Sequence, residues 1–292
     1  MPTRRDFIRL SALATAAGCT LGRINTAFAA AAASESSGLI YGVQLFMVRR
    51  QAPKDLAAVL RTIHQIGFAQ IELYPIAYTY SAPELRRIIA DSGLGAVSGH
   101  FDYVGLESKI EYAHQLGLEF MVCPMLPTDQ WTSVEGFQKA ATDFNRWGKA
   151  VKNAGMEFAF HNHDYEFRKF DDVTGYDILL KETDPKLVYL EMDCYWITQA
   201  GYDPVQMLNR LGHRVRMLHI KDRKPGFPPS FDMSDSSAHF TEVGTGSINW
   251  PAVLATAKKL EVEHYFIEQD RIQGSAIDSL RSSYTYLRKE LA

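Results

Sequence analysis

The 292-residue chain is poor in cysteine: Cys19, Cys123 and Cys194 are too few for a disulfide framework, and the last two lie in apolar strand-like runs where a buried free thiol is expected. No extended lysine/arginine stripe is present, and a formal net charge of −3 offers nothing to neutralise a run of phosphates, so no nucleic acid is expected as a partner. Glycine-rich phosphate loops are missing too. The first strand-like run leads into Gln44-Leu45-Phe46-Met47-Val48, which argues against a doubly wound dinucleotide fold, and neither a Walker-type loop nor a Gly-x-Ser-x-Gly elbow occurs elsewhere. The apolar stretch Leu10 to Leu21 falls short of the about 20 residues a membrane helix needs, so no stable membrane span is expected. With 46% hydrophobic and 22% charged residues, the composition is that of a globular chain and excludes overall disorder.

What the N-terminus does contain is Thr3-Arg4-Arg5-Asp6-Phe7-Ile8, then the mild apolar stretch, then small-residue sites such as Ala27-Phe28-Ala29. This resembles a twin-arginine export signal and predicts a periplasmic protein. A lipid anchor at Gly18-Cys19 is a poorer match, because Ala16 stands three residues before the cysteine. Cleavage after Ala29 would remove Arg4, Arg5, Arg9, Arg23 and Asp6, taking the charge from −3 to −6. Residues 1–37 are thus read as signal and Ala/Ser-rich linker, and residues 38–292 as one domain.

From Leu39 the chain alternates β-rich apolar runs with amphipathic stretches. The runs are 40–45, 69–73, 95–99, 120–123, 157–160, 187–190, 215–219 and 264–268, eight in all. Between them Leu56, Val59, Leu60 and Ile63 show helical spacing before Gly67. Pro53, Pro83, Pro204 and Pro251 stand where helices would begin, and Gly67, Gly117 and Gly155 where helices would end. Eight β–α units in about 255 residues predict a single (β/α)8 TIM barrel of the α/β class. The stretch 225–247 is expected to form a loop on the active face.

In such a barrel, polar strand ends converge on one mouth. Strand five ends in His161-Asn162-His163-Asp164-Tyr165-Glu166, strand six in Glu191-Met192-Asp193, strand seven in His219-Ile220-Lys221-Asp222 and strand eight in Glu268-Gln269-Asp270-Arg271. Carboxylates and imidazoles gathered in a desolvated mouth need compensation, which one bound dication supplies to several at once. Mixed His/Asp/Glu donors suit Mn, Zn, Co or Mg and not a soft thiolate site.

These strand ends, together with Gly155 to Phe167, Leu190 to Trp196 and Glu242 to Trp250, resemble the motifs of the xylose isomerase-like TIM barrel family, often labelled sugar phosphate isomerase/epimerase. The resemblance implies a divalent metal held after strands five to eight, which falls on His161, Asp193, His219 and Glu268. The family's epimerases have a glutamate where this chain has His161, and their two metal-bound glutamates form the acid/base pair. Imidazole can still ligate, so the substitution bears on mechanism more than on binding; Glu166 is a substitute carboxylate.

The implied function is isomerisation, epimerisation or dehydration next to a carbonyl of a sugar or inosose, with Glu268, Lys221 and His163 as candidate proton-moving groups. Trp196, Tyr165, Tyr74 and Phe46 are candidate walls against a sugar-like small molecule; His100, Glu72, Gln44 and Arg271 are candidate hydrogen-bond partners for it. Two alternatives remain open: metal-dependent β-elimination on 3-keto-glycosides, and a non-catalytic sugar-binding barrel. An oligomer is compatible with the sequence. His64, His114, His213 and His264 are read as structural.

Overall fold

The computed structural model of the chain describes residues 39–234 and 238–290, so the predicted export segment, its linker and Cys19 lie outside the described residues. Eight parallel strands close on themselves: β1 (Tyr41–Gln44), β2 (Gln70–Leu73), β3 (Gly95–His100), β4 (Phe120–Cys123), β5 (Glu157–His161), β6 (Val188–Asp193), β7 (Val215–Ile220) and β8 (His264–Ile267). Each pairs with the next and β8 with β1. The outer helices are α1 (Leu56–Ile66), α2 (Ala82–Asp91), α3 (Ile110–Leu116), α4 (Val134–Asn153), α5 (Gly175–Glu182), α6 (Cys194–Gln199), α7 (Pro204–Leu211), α8 (Trp250–Lys259) and α9 (Ala276–Glu290). The chain forms the expected (β/α)8 barrel.

Alternate side chains of a strand face opposite sides. Ile71, Leu73, Met121, Phe158, Leu190 and Leu218 join the layer beneath the helices. Phe120, Val122, Ala159, Met217 and Phe266 form a separate apolar plug. Gly42 makes room for that plug, since a Cβ there would meet Phe266 Cδ1 at 2.6 Å. The plug closes the lower barrel and leaves its upper interior to polar residues.

Pro83, Pro204 and Pro251 open α2, α7 and α8 as expected. Pro53 does not open α1. That helix starts at Leu56, where the Asp55 carboxylate accepts from the Ala58 N–H at 2.9 Å and satisfies a free donor that a proline would only remove. Gly67, Gly117 and Gly155 take positive φ after α1, α3 and α4, ending each helix just before a strand. The sixth strand ends at Asp193, as its polar end Glu191-Met192-Asp193 predicts, and Glu191 and Asp193 find partners inside the barrel. Cys123 and Cys194 are buried and free.

Gly148 sits in α4 with the Leu187 backbone, at the entry to β6, directly against it. Alanine is favoured over glycine in a helix interior by about 1 kcal/mol, so propensity alone predicts stabilisation. A Cβ at this position would instead overlap the Leu187 carbonyl oxygen. Overlap with backbone is the larger effect, and Gly148→Ala should lose at least about 2 kcal/mol in urea unfolding. Unchanged or increased stability would show that α4 can shift outward at no cost.

Candidate metal centre

Side chains two apart on a strand share a face, so Met217, His219 and Lys221 climb one file along β7 from the apolar plug to the mouth. Ser98 and His100, Ala159 and His161, Glu191 and Asp193, and Phe266, Glu268 and Asp270 rise in the same way. The result is two buried polar layers above the plug.

In the lower layer His219 Nε2 lies 2.7 Å from Glu72 Oε2, while His100 Nε2 lies 2.9 Å from Glu191 Oε2 and 3.1 Å from Glu72 Oε2. The Ser98 hydroxyl donates to Glu72 Oε1 at 2.8 Å. In the upper layer His161 Nε2 is 3.1 Å from His219 Nδ1 and 3.3 Å from Asp193 Oδ2, and His219 Nδ1 is 3.2 Å from Glu268 Oε2. Lys221 Nζ touches Asp193 Oδ2 (2.9 Å), Glu268 Oε2 (2.6 Å) and Asp270 Oδ2 (2.7 Å). One donor atom from each of His161, Asp193, His219 and Glu268 lies within 4.8 Å of the others.

Neighbours fix which atoms face the centre. The Glu72 carboxylate takes the Nε2–H of His219 and leaves Nδ1 toward the upper layer. His161 Nδ1 faces the Pro124 carbonyl at 3.4 Å and leaves Nε2 free to point inward. Asp193 Oδ1 accepts the Trp196 N–H at 2.9 Å as the N-cap of α6, and the Asn162 side chain accepts the Asp193 N–H at 3.1 Å. That cap aims Oδ2 at the centre.

The electrostatics leave room for a cation. Burial depresses the pKa of His161, helped by His219 and His100, so this ring is neutral and offers a lone pair. Burial alone would also lower Lys221, but Asp193, Asp270 and Glu268 raise it well above the usual range. For His100 the same contest between burial and its carboxylates Glu72 and Glu191 ends at about 9. Burial pushes the Asp270 carboxyl up to about 6, against the pull of Lys221. Five carboxylates, Glu72, Glu191, Asp193, Glu268 and Asp270, thus face Lys221, His100 and His219, and negative charge is in excess whether or not the His219 ring is protonated. A dication would offset that excess once His219 gives up its Nδ1 proton, and two imidazole nitrogens with two carboxylate oxygens are a donor set it accepts.

The other sequence-predicted residues divide. Trp196 is buried in the mouth wall with Lys221 Nζ 5.5 Å from its ring centroid, and His163 lies beside it with a buried Nδ1 that has no hydrogen-bond partner. The Tyr165 ring packs on Trp131, and its hydroxyl accepts the Leu126 N–H at 2.9 Å. Glu72 and His100 are drawn together with Glu191 and His219 into a second buried group, whose donor atoms also lie within 4.8 Å of one another; Glu72 bonds His219, and His100 bonds Glu72 and Glu191. The Glu166 carboxylate accepts the His163 N–H at 3.0 and 3.2 Å, which turns it away from the substitute role considered for it. Gln44 caps its own loop through the Phe46 N–H, and Phe46 and Tyr74 pack edge to face. Arg271 is exposed at the rim. Glu191, Asp270 and Arg49 were not singled out from the sequence; the spacing of two from Asp193 and Glu268 was the available signal for the first two.

A closed parallel barrel whose C-terminal mouth buries two histidines and two carboxylates around one point offers a donor set of the kind a divalent ion accepts. Residues 60–289 match the family described as Xylose isomerase-like TIM barrel, and the chain belongs to that family. Among curated proteins it is similar to the inosose dehydratase of Geobacillus kaustophilus, at 23% identity over 270 residues, covering 79% of this chain and 83% of that one. It is also similar to the inosose dehydratase of Clostridium beijerinckii, at 23% identity over 191 residues, covering 62% of this chain and 63% of that one. The chain therefore spans less than two thirds of the second relative's length. A sugar phosphate isomerase/epimerase from Parabacteroides distasonis has a similar structure, with a TM-score of 0.72 at 22% identity over 87% of this chain and 94% of that one. The zinc-bound IolI protein reaches a TM-score of 0.66 at 14% identity over 86% and 98%.

Because Glu72 sets the orientation of His219, Glu72→Gln should weaken divalent-ion affinity by roughly 10- to 100-fold while keeping the side-chain shape. Competition against a chromophoric chelator measures this. Wild-type affinity in the variant would remove Glu72 from any role in the centre.

Proposed function

We propose that the protein is a divalent-metal-dependent enzyme that acts next to a carbonyl of a sugar or inosose, with dehydration favoured over two-base epimerisation. The observation that carries this reading is the upper layer, in which the His161, Asp193, His219 and Glu268 donors converge beside a buried, charged lysine. A bound Mn, Zn, Co or Mg ion would be held by those four residues and would supply a Lewis acid for the carbonyl. The inosose dehydratase relatives and the zinc-bound neighbour support the same reading.

The residues of the chain divide the remaining work. Glu268, held below the usual carboxylate range by Lys221 and His219 against its burial, is ionised and can take the proton from carbon. Lys221 keeps its proton and places its charge where the carbonyl oxygen becomes negative. The C–H electron pair is delocalised into the carbonyl and then forms the Cα=Cβ double bond as the β C–O bond breaks; its electrons leave with the hydroxyl oxygen, which takes the proton held by Glu268 and departs as water. His161 supplies no second carboxylate on the opposite face, which is why one-base elimination fits better than an exchange between two glutamates. The same step on a 3-keto-glycoside would release an alcohol instead of water.

Metal-loaded protein incubated in D₂O with aldoses, ketoses, inososes and 3-keto-glycosides should remove water or an alcohol from one class, and Glu268→Gln should lower the rate by at least about 100-fold. Epimerisation without elimination would overturn the preferred reaction. No exchange with any compound, at full ion loading, would leave a sugar-binding barrel.

We propose in addition that residues 1–37 direct export through the twin-arginine route to the periplasm, on the basis of Arg4-Arg5 and the apolar stretch behind them. Arg4→Lys/Arg5→Lys should retain the protein in the cytoplasm in cell fractionation. An unchanged distribution between the fractions would refute this route.

A further inference from the structure

Between the loops that follow β1 and β8 lies an open cleft of about 90 Å³ whose lining includes Arg49, Arg50, Arg271, Asp270, Met47 and Ile272. We propose that this cleft is an anion subsite in which the three arginines take a carboxylate or phosphate group of the substrate. That the anion belongs to a substrate rests on the sugar-like ligand proposed above; the anion site itself does not.

Three observations carry the inference. The first is an excess of cations with no direct carboxylate partner. Among the described residues, none of the three guanidiniums pairs with a carboxylate, although Arg49 is partly buried and Asp270 stands in the same wall. The Asp270 carboxylate is turned the other way, to Lys221 Nζ at 2.7 Å, so the acidic member of the wall is already engaged.

The second is that Arg49 is held in place before any ligand arrives. Its guanidinium carbon lies 3.8 Å from the Phe46 ring centroid, Nη1 donates to the Phe46 carbonyl at 2.7 Å, and Nη2 donates to the Asp270 carbonyl at 2.6 Å. Both acceptors are neutral carbonyls, so the guanidinium is oriented with no carboxylate hydrogen-bonded to it, and Asp270 and Glu268 act on it only through space. Of the five guanidinium N–H donors, three remain available for a planar anion. Immobilising the side chain through stacking removes entropy that a ligand would otherwise have to offset.

The third is position. Asp270 lines the cleft on one side and contacts Lys221 on the other, so the cleft opens beside the proposed reacting groups. A substrate with its carbonyl at the upper layer and an anionic end in the cleft would be fixed at two points. Arg50 and Arg271, both exposed, can close on that end from solvent.

The test uses the full chain, stripped of metal with chelator so that the upper layer cannot hold the probe through an ion. Sodium phosphate, sodium D-glucuronate and D-glucose are titrated separately at low salt by calorimetry. Saturable binding of at least one anion is expected, with no binding of glucose. The paired substitution Arg50→Gln/Arg271→Gln should weaken that binding by about tenfold or more, while Arg281→Gln on the exposed face of α9 leaves it unchanged. A stronger response to glucuronate assigns the site to a carboxylate, and a stronger response to phosphate assigns it to a phosphate. Equal affinity in the paired variant and the wild type, or no saturable binding of either anion, overturns the proposal. Anion binding and metal-dependent proton exchange are read on different forms of the protein, so either reading can fail while the other stands.

Discussion

Four buried carboxylates, Glu72, Glu191, Asp193 and Glu268, and the partly buried Asp270 crowd the upper interior of this barrel, five in all. Any carboxylate left unpaired at that depth costs several kcal/mol, so the upper interior is organised by the need to oppose negative charge. Lys221 meets three of the five, His100 bridges Glu72 and Glu191, and His219 reaches both layers through its two ring nitrogens. The plug formed by Phe120, Val122, Ala159, Met217 and Phe266 makes the demand strict by keeping water from rising beneath them. A cation in the upper layer is the simplest way to complete the balance, and the donor atoms are already turned inward.

The substitution at His161 acts within the same balance. A glutamate there would add a sixth carboxylate to an interior already short of positive charge. The imidazole supplies a lone pair without adding charge, and burial keeps it neutral. The centre therefore keeps four donors and gives up one base. In the reaction proposed above, the remaining carboxylate, Glu268, would be the single proton acceptor.

Much of this was legible in the sequence, because a barrel is a repeating pattern. Eight apolar runs with polar ends could be counted, and His161, Asp193, His219 and Glu268 stand at the ends of consecutive strands. The lower layer was not legible. Glu72 meets His219 across 147 residues of sequence, and only the closure of the barrel brings β2 and β7 within reach. Glu72 and His100 were read as hydrogen-bond partners for a ligand, and their contacts with His219 and Glu191 could not be foreseen. Arg49 escaped notice for another reason: its orientation comes from stacking on a neighbour and from two carbonyls, features that leave no pattern in a single chain.

Asp193 serves two structures at once. One oxygen starts α6 and the other points into the donor cluster, so the first turn of that helix and the geometry of the centre share a single hinge. A force on either end is felt at the other: drawing Oδ2 toward an ion tugs on the turn that carries Trp196, and loosening that turn lets the oxygen swing. Through one side chain, the wall that would face a sugar and the charge that would hold an ion become parts of the same lever.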